Sequence, residues 1–136
     1  MGYLKRKIDR YLEAWSNDKN KKPLIIKGAR QIGKTRSIRQ FAKTHYDIVN
    51  EINFIESPQF KSILEDGYNV DTIIKNITRI DPGIRFEAGK TLFFFDEIQS
   101  APDIVTSLKF FAEDGRYDVI CSGFLLGINY KQIFDQ

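Results

Sequence analysis

Residues 23–36, PLIIKGARQIGKTR, run an apolar segment into two glycines, a lysine and a threonine, and then into a stretch with helical spacing. The run LIIK, residues 24–27, lies between Pro23 and Gly28 and is apolar without alternation. That is the pattern of a strand covered on both faces, as in a parallel sheet. Gly28, Gly33, Lys34 and Thr35 satisfy G-x-x-x-x-G-K-[ST]. Glycines let backbone N–H groups curl toward an anion. A helix opening near Lys34 would aim its positive dipole end at the same point. The lysine adds a mobile charge, and the threonine hydroxyl suits Mg²⁺. A random chain of this length matches the pattern in roughly one case in two hundred, so a phosphate loop outweighs an incidental glycine turn.

The rest of the chain fits that start. Residues 3–15 place Leu4, Ile8, Tyr11, Leu12 and Trp15 on one helical stripe. A polar linker follows, so residues 1–22 read as an amphipathic helix with its linker and residues 23–136 as the core. Residues 34–45 read as a helix with Ile38, Phe41 and Ala42 inward, and 48–55 as a strand. Ser57-Pro58 opens a helix to about Glu65, and 70–79 carry a further helical spacing. TLFFF, 91–95, is a second fully apolar strand. Pro102 starts a helix that ends at Gly115, and 117–121 is the last clear strand. Strands alternating with helices predict a parallel sheet covered on both faces. The fold class is therefore α/β, a three-layer α/β/α P-loop domain with a short, mostly parallel sheet and an extra N-terminal helix.

Composition narrows the class. The chain has 136 residues, 42% hydrophobic and 29% charged, which suits one globular domain. A net charge of +3 is too small to imply nucleic acid by itself. Lys5-Arg6-Lys7 and Lys19 to Lys22 read as solvated surface, with a phosphate-rich partner as the alternative. The lone cysteine, Cys121, sits in an apolar run and reads as a buried thiol. No charged leader precedes an apolar stretch, and no apolar run reaches transmembrane length. A cytoplasmic chain without a membrane segment is the expectation. His45, late in a helix, reads as capping or surface.

A phosphate loop needs a metal partner and, for hydrolysis, a group that orients water. LFFFDEIQ, 92–99, drives a strand through the core and ends at Asp96-Glu97. Parallel strands deliver functional residues at their carboxyl ends. Asp96, with Thr35, is the candidate metal partner, and Glu97 the candidate that polarises water. Glu97 favours hydrolysis over phosphoryl transfer to an acceptor. Ser122, at the end of the next strand, is a candidate γ-phosphate sensor. The cofactor-binding set is Gly28, Ala29, Arg30, Gln31, Ile32, Gly33, Lys34, Thr35, Arg36 and Ser122, with Lys34 and Glu97 catalytic. Arg30, Arg36 and Arg39 also fit a solvated face.

PLIIKGARQIGKT, TLFFFDEIQSAPDIVTSLKFF and YDVICSGFLLGINYK resemble the N-terminal module of a family of prokaryotic AAA-type ATPases that carry a second, C-terminal domain. The resemblance implies a Walker A site at Gly28–Thr35, a Walker B site at Asp96 and Glu97, a sensor-like position at Ser122, and ATP with Mg²⁺ as cofactors. The family reads Ser-Gly-Ser where this chain has Ser122-Gly123-Phe124. It also continues past the point matching Gln136, into another core strand, a helical lid and the C-terminal domain. The resemblance therefore implies a truncated module, with the strand that ends at Lys27 left as an open sheet edge unless a partner covers it. Two further readings stand beside the ATPase: a nucleotide-binding or interaction module without turnover, and a phosphotransferase.

Overall fold

The computed structural model describes residues 7–28, 32–124 and 133–135. Among these residues lie four α-helices and five strands, with 3-10 helices at Pro58–Leu64 and Ile98–Ser100. Helix α1 is Lys7–Ser16, strand β1 Leu24–Lys27, helix α2 Ile32–His45 and strand β2 Ile48–Asn53. Helix α3 is Val70–Ile80, strand β3 Thr91–Asp96, helix α4 Ile104–Asp114, strand β4 Asp118–Gly123 and strand β5 Ile133–Asp135. All four strand pairings are parallel, in the order β2-β3-β4-β1-β5.

The sheet divides its side chains by parity, because successive strand residues face opposite ways. Leu24, Ile26, Leu92, Phe94 and Ile120 pack with Ile8, Leu12 and Trp15 of α1 and Ile38 and Phe41 of α2. Ile25, Phe93, Phe95, Val119 and Cys121 pack with Ile73 and Ile77 of α3 and Ile104, Leu108 and Phe111 of α4. Burial on both faces is why the first and third strands are written in unbroken apolar letters. Phe93 is the densest node of the second layer. Its ring lies 5.6–5.7 Å from those of Phe86, Phe95, Phe111 and Tyr117.

The open edge expected beside Lys27 is not there. β5 pairs with β1 in parallel, Ile25 opposite Ile133 and Lys27 opposite Asp135. Three residues suffice for this pairing, and so short a strand leaves almost no periodicity in the sequence.

Other boundaries shift for local reasons. β2 stops at Asn53, whose side-chain oxygen accepts from the amides of Ile55 and Glu56 at 2.9 and 3.0 Å and turns the chain. The helix expected from Ser57 is a 3-10 helix over Pro58–Leu64, and Ser57 gives it no side-chain cap. By contrast, Asn69 caps α3, accepting from the amides of Asp71 and Thr72. Gly115 closes α4 in the left-handed region, at φ 74°.

Lys21 departs from the solvated reading. Its ammonium pairs with Asp118 at 2.9 Å, and Asp118 also accepts from the Tyr46 hydroxyl at 2.5 Å. The Trp15 indole donates to the Lys22 carbonyl at 2.7 Å. The linker after α1 is thus tied to the sheet. His45 stacks on Phe41 at 4.2 Å and faces Glu13. Cys121 is buried and free, and burial pushes its thiol up, out of the reactive range. No helix among the described residues is long and apolar enough to cross a membrane.

Candidate active site

The carboxyl ends of β1, β3 and β4 carry the predicted site. Gly28 follows β1 with φ at 145°, a conformation that side-chain-bearing residues rarely adopt. Its amide donates to the Gly123 carbonyl at 3.1 Å, fastening the start of the loop to β4. Ala29, Arg30 and Gln31 lie outside the described residues. Ile32 opens α2, with Gly33, Lys34, Thr35 and Arg36 in its first turns. Arg36 is exposed.

Lys34 is 3% exposed, and its ammonium donates to the Gly28 carbonyl at 3.2 Å. Burial lowers its pKa below the ordinary lysine value, while the charges of Asp96 and Glu97 act in the opposite sense. The loop lysine and the two acids therefore share one electrostatic neighbourhood, although they lie more than sixty residues apart in sequence.

Asp96 ends β3 and is 8% exposed. Its Oδ1 accepts from the Ser122 hydroxyl at 2.5 Å and from the Glu97 amide at 2.8 Å. Burial raises the Asp96 pKa. The Ser122 hydroxyl and the Glu97 amide oppose the rise, and the charges of Glu97 and Glu51 add to it. Ser122, which the sequence suggested as a phosphate sensor, therefore has its hydroxyl directed at Asp96.

Glu97 is 6% exposed and left-handed, at φ 56° and ψ 48°. It is the one non-glycine residue with positive φ among the described residues. Such a conformation costs about 1–2 kcal/mol for a residue with a Cβ. Strain of this kind gathers where a side chain must be aimed. A 3-10 turn over Ile98–Ser100 follows directly.

Sequence reasoning missed Gln99 as an individual residue. Its Nε2 donates to Glu97 Oε1 at 3.0 Å, and its Oε1 accepts from the Phe124 amide at 3.1 Å. The signal was present only as the last letter of LFFFDEIQ.

Residues 20–136 match the AAA domain family. No curated protein matches the chain. Among solved structures, the chain is similar in fold to C. elegans PCH-2, with a TM-score of 0.53 at 14% identity. That alignment covers 95% of this chain and 41% of PCH-2, so the chain spans well under half the length of that relative. The family match takes in the glycine loop, both acids and every strand of the sheet, and the chain belongs to the AAA domain family of nucleotide-binding ATPases.

Proposed function

We propose that the chain binds ATP with Mg²⁺ at the carboxyl end of its sheet and hydrolyses it to ADP and phosphate, as the switch-bearing part of a larger cytoplasmic assembly. The observation that carries this reading is the convergence of Lys34 with Asp96 and Glu97 at the mouth of the Gly28 turn.

Each side chain has a role that its surroundings suit. A desolvated ammonium interacts strongly with an incoming polyphosphate, whose charge favours the protonated form. Backbone amides at the start of α2 add dipolar attraction. Thr35 and Asp96 would hold Mg²⁺. The donor set fits, because Mg²⁺ commonly takes one or two carboxylates and fills its shell with phosphate oxygens and water. When bound, Mg²⁺ neutralises charge on the phosphate oxygens. Glu97 orients the attacking water and takes its proton. Ser122 favours the ionised form of Asp96 and fixes the direction of its carboxylate. An arginine from a second subunit or a further domain would complete the site, a contribution worth about 10³–10⁵ in rate.

Nucleotide titration and phosphate release test the reading together. Lys34→Ala is expected to abolish ATP binding. Glu97→Gln should keep binding and slow hydrolysis by roughly 10²–10⁴. If Lys34→Ala binds ATP as wild type does, the site assignment fails.

One observation favours a second reading, nucleotide binding without turnover. The Ser122 hydroxyl is engaged with Asp96, and the half-exposed Phe124 (51%) stands where the family that the chain resembles carries a second serine. Wild-type chain that binds ATP yet releases no phosphate above background would establish it.

A further inference from the structure

We propose that Gln99 is a positioning residue, a carboxamide clamp that holds the Glu97 carboxylate to the carboxyl end of β4. The inference rests on the hydrolytic reading of Glu97 and deepens it.

Three observations converge. First, the Gln99 carboxamide uses both of its ends. Nε2 donates to Glu97 Oε1 at 3.0 Å and Oε1 accepts from the Phe124 amide at 3.1 Å. An amide that donates to one group and accepts from another has a fixed orientation, and with it a fixed direction for the group it holds. Second, the space for this crossing is reserved. A Cβ on Gly123 would stand 2.6 Å from Gln99 Oε1 and 2.9 Å from the Ile98 amide. Gly123 has no positive φ, so what it supplies is clearance. Third, Glu97 holds a costly left-handed conformation. A residue keeps such a conformation only when the surrounding structure over-determines it. A hydrogen bond from a residue anchored on another strand supplies that restraint.

The clamp ties the water-orienting acid to the Phe124 amide, directly after the end of β4. The same β4 end also carries Ser122, which holds Asp96. One strand terminus thus sets both acids.

Two variants of the full chain separate positioning from mere packing. Gln99→Leu removes both hydrogen bonds. Gln99→Glu keeps an acceptor for the Phe124 amide but sets a like charge against Glu97. Both are expected to bind MgATP within about threefold of wild type and to lower turnover about tenfold or more. In a Glu97→Gln background, Gln99→Leu should change residual turnover by no more than about twofold, because the group it aims is already gone. Amide exchange at Phe124 should accelerate in Gln99→Leu and stay near wild type in Gln99→Glu. The ¹³Cδ resonance of Glu97, assigned by its loss in Glu97→Gln, should move in both.

Equal turnover and an unmoved Glu97 resonance in Gln99→Leu overturn the clamp, whatever Lys34→Ala and Glu97→Gln do. Equal losses of turnover in the wild-type and Glu97→Gln backgrounds overturn it also, since they mark a structural effect. If wild-type chain shows no turnover, the hydrolytic reading fails separately, and the Glu97 and Phe124 resonances decide the clamp alone.

Discussion

The Ser122 hydroxyl donates to Asp96 Oδ1, locking the penultimate residue of β4 to the last residue of β3. Both groups are buried, so the bond acts where a lost donor is costly. It favours the ionised carboxylate, whose pKa burial pushes upward. Ser122→Ala should therefore destabilise the nucleotide-free chain by about 1–2 kcal/mol at neutral pH. The cost should shrink at acid pH, where Asp96 carries its proton. Urea melts of both chains at several pH values check the difference.

Asp96→Asn tests the same charge with the opposite sign. A carboxylate whose folded pKa is raised holds its proton longer in the native state than in the unfolded chain. Its contribution is fully present below the ordinary carboxylate value and is lost as pH rises through the higher folded value. Asparagine does not titrate, so Asp96→Asn should gain stability over wild type above that window and none below it. It should also lose the dependence of ATP affinity on Mg²⁺. Melts across pH, with nucleotide titrations at two Mg²⁺ levels, read both effects.

Lys34→Met removes a buried ammonium that desolvation disfavours, but also its bond to the Gly28 carbonyl and its attraction for Asp96 and Glu97, so the nucleotide-free fold should lose about 1–3 kcal/mol. Wild type should gain melting temperature on adding MgATP, and Lys34→Met should gain none. A larger loss of stability without nucleotide would instead mark Lys34 as structural.

Glu97→Gly should relieve the left-handed strain but also removes the acceptor of the Gln99 amide, so stability should stay within about 1 kcal/mol of wild type. Phosphate release should fall to the Glu97→Gln level. Retained stability accompanied by lost turnover is the pattern of strain kept for activity.

Gly123→Ala should destabilise by about 1–3 kcal/mol, since the added methyl meets the Ile98 backbone as well as Gln99. Its loss of turnover should exceed that of Ser122→Ala. Thermal melts and phosphate release measure the pair.

The three-layer architecture was legible because burial on both faces leaves its mark in consecutive letters. LIIK and TLFFF have no polar face to give. The glycine loop and Asp96-Glu97 were legible because each is a local signal, written within eight residues or at the end of an apolar run. β5 was not, since Ile133–Asp135 offers too few residues for a period and takes its structure from pairing with β1. Nor was the partner of Ser122, because a hydroxyl at a strand end can turn toward ligand, backbone or acid, and only the adjacency of β3 and β4 decides. Lys21 with Asp118 and Gln99 with Phe124 are likewise contacts that strand order creates and no local pattern announces.

The order β2-β3-β4-β1-β5 places β4 between the strand that feeds the glycine loop and the strand that ends in the acids. Two inter-strand spacings, roughly 9–10 Å, therefore separate those two termini. β4 is a gauge block: its width sets the gap that a phosphate chain would bridge, and its tip carries the serine, the bare glycine and the amide that trim the acids facing that gap. A substitution at Val119 or Ile120 that shears β4 against β1 or β3 would change the calibre of the site without touching a single residue assigned to nucleotide.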